Sequence, residues 1–178
     1  MVSGFVAKRL RPHEVMVHSE KAGLAARLLS LCEERGITLA TAESLTGGML
    51  VARLVDVPGA SAVVQGGVCT YSFDAKASLL GLDRADLDDH GAVRESVARD
   101  MASGAARVYS ADLALATTGV AGPGPDPYGV AEGTAFIACS LGGAVTSRRV
   151  KADGGRAAIR AEVVDEALRL GIATLSAQ

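Results

Sequence analysis

The chain has no tryptophan, and only 3 phenylalanines and 3 tyrosines among its 178 residues. A core of ordinary size must therefore be built from Ala, Val and Leu with backbones in close approach, which the 21 glycines allow. Basic runs are missing as well. The net charge is -2, and without clustered Lys or Arg the phosphate backbone of a nucleic acid has nothing to bind, so no nucleic-acid partner is expected. A small phosphorylated ligand remains open, since it needs only a local pocket. No apolar run is long enough to span a bilayer, and the N-terminus lacks an apolar signal core, so no membrane partner is expected. Cys32, Cys69 and Cys139 form no C-x-x-C pair. They read as buried reduced thiols, and an odd count without a secretory signal fits a reducing compartment, hence the cytoplasm. His13, His18 and His90 show no metal-ligand spacing, so neither a metal nor a cofactor is expected.

What is present is a soluble, foldable composition, 49% hydrophobic and 21% charged. Residues 1–19 read as an N-terminal extension and residues 20–178 as one domain. Lys21 to Arg35 has helical spacing and stops at Gly36. Ile37, Leu39 and Ala42 form a short buried strand, followed by a helix from Met49 that Pro58 and Gly59 close. Ala62 to Tyr71 is β-rich, with Gly66 and Gly67 marking a bulge or a close approach. Short helices follow over Ala75 to Leu80 and Asp83 to Asp89, then a longer one over Arg94 to Tyr109. A buried strand, Asp112 to Thr117, precedes a hairpin of Gly133 to Leu141 with Ala144 to Lys151, and a last helix covers Arg156 to Leu175. Helices alternating with short apolar strands specify an α/β fold, a three-layer α/β/α sandwich with a mixed, mostly parallel sheet. Alanine-rich helix faces suggest packing into a homo-oligomer.

Three strand ends carry polar or glycine-rich turns: Glu43 to Gly48, Tyr71 to Lys76, and Thr118 to Gly124. In open α/β sheets ligands sit beyond the carboxyl ends of strands, so the three turns are expected to share a pocket. In the first, a strand passes through Ser44, Thr46, Gly47 and Gly48 into a helix, an arrangement whose free N–H groups suit a phosphate or an oxyanion. Ser44 or Thr46 acting merely as a helix cap accounts for the same residues. Lys76 lies in a small, apolar helical turn, where desolvation would lower its pKa and make it a base; paired with Ser44 it gives a Ser–Lys nucleophile. Tyr71 is placed to relay a proton or to hold the lysine. A solvated lysine and a half-buried strand-end tyrosine are the structural alternatives. The loop from Thr118 matches neither a Walker loop nor a dinucleotide fingerprint, yet it can present N–H groups to a phosphate or a carboxamide.

T-A-E-S-L-T-G-G at 41–48, D-V-P-G-A-S-A at 56–62, T-Y-S-F-D-A-K at 70–76, H-G-A-V at 90–93 and T-G-V-A-G-P-G at 118–124 occur in this order. Together they resemble the C-terminal domain of CinA, the family that includes the stand-alone nicotinamide-nucleotide amidase PncC; the likeness covers roughly residues 20 to 176 and favours the free-standing form. It implies a metal-free amidohydrolase acting on a small nucleotide, converting nicotinamide mononucleotide to nicotinate mononucleotide and ammonia. The family's nucleophile falls on Ser44, its lysine on Lys76 and its tyrosine on Tyr71. Backbone N–H groups of Leu45 to Gly48 would receive the oxyanion, and Thr46, Gly47, Gly48, Thr118, Gly119, Gly122 and Arg156 would bind substrate. Arg156 reads equally as a surface charge at a helix start. The chain departs from the family pattern at Leu45, Phe73, Arg94, Val130-Ala131-Glu132 and Gly155. A member that binds a nucleotide or phosphate without turnover is thus the alternative function.

Overall fold

In the computed structural model, residues 12–177 are described. They form helix α1 (Pro12–Glu34), strand β1 (Leu39–Glu43), α2 (Met49–Val55), β2 (Val64–Cys69), α3 (Phe73–Leu80), α4 (Arg84–His90), α5 (Glu95–Tyr109), β3 (Leu113–Gly119), β4 (Thr134–Leu141), β5 (Ala144–Lys151) and α6 (Gly155–Ser176). The first helix begins at Pro12, ahead of the Lys21 that spacing indicates. Of the expected 1–19 extension, residues 1–11 lie outside the described residues.

The sheet order is β2-β1-β3-β4-β5. β1 pairs in parallel with both β2 and β3, whereas β4 is antiparallel to β3 and to β5, so only β4 runs against the others. Gln65 is the extra residue in the β1–β2 ladder, which jumps from Leu39↔Val64 to Ala40↔Gly66. That bulge is where the paired glycines place it.

One face of the sheet carries Leu28, Leu50, Leu54, Leu115, Ile137, Val163 and Leu168 in a core shared with α1, α2 and α6. The other carries Leu80, Leu87, Val97 and Met101 from α3, α4 and α5, against Ala42, Ala114, Ala116 and Ala138 of the sheet. The mixed α/β/α sandwich is therefore as the alternation of elements indicates. Alanine on that second face lets α5 lie close to the strands, which is how a core with few aromatics closes.

Two polar clips lock the frame. Asp112 accepts from the Thr38 N–H and hydroxyl, both at 2.8 Å, joining the starts of β1 and β3. Asp165 on α6 pairs with Arg53 on α2 at 3.4 Å. Cys32 and Cys139 are buried, and burial pushes both thiols up to about 11. Cys69 is exposed, contrary to the expectation for it, because it ends an edge strand. No described helix is long and apolar enough to cross a membrane.

Candidate active site

β1 is the strand at which the winding reverses. The connection through α2 leads to β2 on one side, and α3, α4 and α5 lead to β3 on the other. Its carboxyl end therefore opens into the crevice where ligands of doubly wound sheets bind. A cleft of about 410 Å³ lies there. Its walls include Ser44, Leu45, Tyr71, Phe73, Lys76, Thr118, Gly119, Gly122, Tyr128 and Arg156, so the three expected turns do converge.

Ser44 leaves β1 with its N–H still held by the Thr117 carbonyl at 3.0 Å, which fixes the residue against β3. Lys76 approaches from α3, a helix capped by the Ser72 hydroxyl on the Ala75 N–H (3.1 Å). The Lys76 side chain is 1% exposed, and its Nζ lies 2.9 Å from Ser44 Oγ and 2.6 Å from the Thr70 carbonyl. Among the described residues no carboxylate bonds to it. Burial thus acts largely unopposed and brings its pKa from 10.5 down to about 8, with the nearby Cys69 pulling weakly the other way. A neutral amine keeps one N–H on the Thr70 carbonyl and turns its lone pair to Ser44, so the hydroxyl becomes the donor across the 2.9 Å contact.

Tyr71 stands at the rim, 63% exposed, and its hydroxyl accepts from Arg156 Nη2 at 3.1 Å. It does not hold Lys76, whose amine faces Thr70 and Ser44. Arg156 also donates to the Gly122 carbonyl at 2.8 Å, tying the start of α6 to the loop after β3. Thr118 lines the cleft while its hydroxyl donates to the Ala92 carbonyl at 2.8 Å. Phe73 and Tyr128 face each other at 6.2 Å between ring centroids, with the Arg84 guanidinium over Phe73 at 5.5 Å. Half of the chain's 3 phenylalanines and 3 tyrosines thus line this one cleft. That concentration gives it flat apolar walls suited to a planar ring.

Thr46, Gly47 and Gly48 do not line the cleft. The Thr46 hydroxyl is buried 2.7 Å from that of Thr117. The Gly47 N–H bonds the Ser44 carbonyl at 3.1 Å. The helix-start amides expected to receive an anion already have one inside the protein. The carboxylate of Glu43, 1% exposed, accepts from Gly48 (3.0 Å), Leu50 (3.0 Å) and Val51 (2.8 Å). Of the four amides from Leu45 to Gly48, those of Leu45 and Thr46 have no intramolecular acceptor among the described residues. In the third turn the Gly124 N–H is likewise taken, by Glu132 at 2.7 Å.

Three participants were missed in the sequence: Glu43 as an internal cap, Tyr128 as a wall, and Arg160. Arg160 donates through Nε to the Leu45 carbonyl (2.9 Å) and through Nη2 to that of Thr46 (2.7 Å). Its signal was its place four residues after Arg156, which puts both on one face of α6. An acid immediately before a helix-start turn was the signal for Glu43. Arg94 starts α5 without a side-chain cap and bonds the Gly91 carbonyl at 3.0 Å instead.

The family model described as the CinA C-terminal domain matches residues 21–175. A CinA-like protein of Mycobacterium marinum is 44% identical over 171 residues, 93% of this chain and 39% of that protein. A protein of Shewanella oneidensis named nicotinamide-nucleotide amidohydrolase PncC is 42% identical over 136 residues, covering 76% of this chain and 32% of that one. The chain thus spans about a third to two-fifths of the length of these curated relatives. Among solved structures, a CinA superfamily protein from Klebsiella pneumoniae superposes with a TM-score of 0.85 at 32% identity, over 89% of this chain and 99% of that one. A competence/damage-inducible protein from Agrobacterium tumefaciens gives 0.82 at 35% identity, over 88% and 95%.

Proposed function

Because the chain belongs to the CinA C-terminal domain family, we propose that it is an amidohydrolase that converts nicotinamide mononucleotide to nicotinate mononucleotide and ammonia. The observation that carries this reading is the Ser44 hydroxyl 2.9 Å from a buried lysine whose pKa is lowered to about 8. An amide needs both a nucleophile and a proton for its departing nitrogen, and one neutral amine beside a serine supplies them in turn.

Lys76 takes the Ser44 proton as Oγ bonds to the carboxamide carbon, whose oxygen becomes the oxyanion. The same proton goes to the nitrogen as the C–N bond breaks, and ammonia leaves an acyl-serine. Water, deprotonated by Lys76, then adds to the acyl carbon; the ester bond breaks, Ser44 regains that proton, and the carboxylic acid leaves and gives its own proton to solvent. The Leu45 N–H, on a residue that lines the cleft beside Ser44, is the donor left for the oxyanion. The aromatic walls suit the pyridinium ring, a cation that favours π faces. Arg156, with Tyr71, stands at the rim to meet the phosphate, and Thr118, Gly119 and Gly122 shape the wall between.

Ammonia release from nicotinamide mononucleotide by the wild type, abolished in Ser44→Ala and Lys76→Ala, is the expected result. Saturable binding of the nucleotide with no ammonia from the wild type would replace this reading with that of a binding protein.

A further inference from the structure

Arg160 sits behind the nucleophile turn, away from the residues that line the cleft, yet it is bonded to two successive carbonyls of that turn. Its Nη2 donates to the Thr46 carbonyl at 2.7 Å, an oxygen shared with the Met49 N–H at 3.2 Å. The peptide that carries this carbonyl ends in the Gly47 N–H, which donates to the Ser44 carbonyl at 3.1 Å. The Ser44 carbonyl in turn belongs to the peptide whose far end is the Leu45 N–H. Both peptides are trans, since the cis bond is at Gly122–Pro123, so in each the N–H points opposite to its C=O. A guanidinium, two peptide dipoles and an intervening hydrogen bond therefore stand head to tail, ending at the Leu45 N–H. The other arm of Arg160, Nε on the Leu45 carbonyl at 2.9 Å, sets the Thr46 N–H opposite in the same way.

These are the two amides of the turn without an intramolecular acceptor among the described residues, and Leu45 lines the cleft beside Ser44. A permanent cation at the carbonyl end of such a chain polarises each bond in it and strengthens the last donor. Gly47 is what lets the cation approach. Its φ of +59° favours glycine, and an added Cβ would sit 3.2 Å from Arg160 Nη2.

We propose that Arg160 is a positioning residue for catalysis: it aims and polarises the Leu45 N–H as the oxyanion donor for attack by Ser44. The inference rests on the amidohydrolase reading for its reaction, but it also has a readout that needs no turnover. 3-Pyridylboronic acid adds a serine oxygen to boron and presents a tetrahedral, anionic centre to the same donor. Its addition to Ser44 is followed by boron NMR and lost in Ser44→Ala.

For Arg160→Ala the expected result is a fall in kcat of about 10- to 100-fold, somewhat less than deletion of an oxyanion donor produces, with KM within about threefold. Boronate affinity should weaken in parallel, and the pH at which activity rises should stay in place because Lys76 is untouched. Arg160→Lys, which keeps the charge and one donor, should recover part of both losses, and it serves where the alanine variant does not fold. Retention of kcat and boronate affinity in both variants, or a loss of kcat with boronate affinity intact, overturns the role of Arg160 alone. A wild type that adds boronate at Ser44 but releases no ammonia strikes the amidohydrolase reading and leaves Arg160 to be judged by the boronate. A wild type that does neither overturns both.

Discussion

The two walls of the cleft are built on opposite principles. The nucleophile turn is clamped from inside the fold: Glu43 holds three amides of α2, the Thr117 carbonyl holds Ser44, and Arg160 holds two carbonyls from behind. The loop between β3 and β4 is held mainly by its own residues, with single ties to α6 and α4 through Arg156 on the Gly122 carbonyl and Tyr128 on the Asp88 carbonyl. Glu132 reaches back to the Gly124 N–H (2.7 Å), Asp126 to the N–H groups of Tyr128 (3.0 Å) and Val130 (2.8 Å), and the Tyr128 hydroxyl leans on the Asp88 carbonyl (2.8 Å). Changes in the first wall are expected to alter reaction rate and global stability together. Changes in the second should alter what the cleft accepts, since a surface loop can vary without unmaking the core.

The strongest way to break this contrast is Lys76→Met. It should remove ammonia release by about 10³-fold or more, since the base is gone, yet stabilise the protein at neutral pH. The sign follows from the direction of the shift. The folded-state pKa of about 8 lies below the 10.5 of the free side chain, so between these values the unfolded chain binds more protons and stability rises with pH. At pH 7 both states are charged and the buried ammonium costs about 3 kcal/mol. Denaturant midpoints of wild type and Lys76→Met should therefore converge from pH 7 to 10, and wild-type kcat/KM should rise through a pKa of about 8. Parallel stability curves would show that burial of the amine is not what tunes it.

Next in size is Glu43→Ala, which leaves three amides at the start of α2 without their acceptor and should cost about 2–4 kcal/mol in urea denaturation. Glu43→Gln, which keeps one acceptor oxygen, should lie between. A smaller, opposite pattern is expected for Gly122→Ala across the cleft. The φ there is +78°, and a Cβ would stand 2.2 Å from Glu132 Cδ, so the Glu132 carboxylate must swing aside and give up its hold on the Gly124 N–H. KM should rise several-fold with kcat little changed, the mirror image of the Arg160 variants. Equal losses in kcat at Gly122 and Arg160 would erase the distinction between the walls.

Much of this was legible in the chain itself. The strand ending at Glu43, the hairpin around Gly142-Gly143 and the helix over α5 follow from apolar spacing and turn residues, because those signals are local. The ordered motifs carried the family, and with it Ser44, Lys76 and Tyr71 as candidates. The role of Glu43 was hidden because an acid before a glycine-rich turn looks like part of the anion site it fills. Tyr71 was read as a partner of the lysine because five residues separate them, but it turns to Arg156, 85 positions away.

Element types and their order were thus written in the sequence, since helix and strand periods depend on neighbours a few residues apart. Tertiary structure alone decided that a hydroxyl at the end of β1 and an amine on α3 lie 2.9 Å apart, and that the amine is dry enough to lose its charge near pH 8. Both depend on β1 lying between β2 and β3. The chemistry follows from desolvation, which is a property of what surrounds a group in space and has no period along the chain.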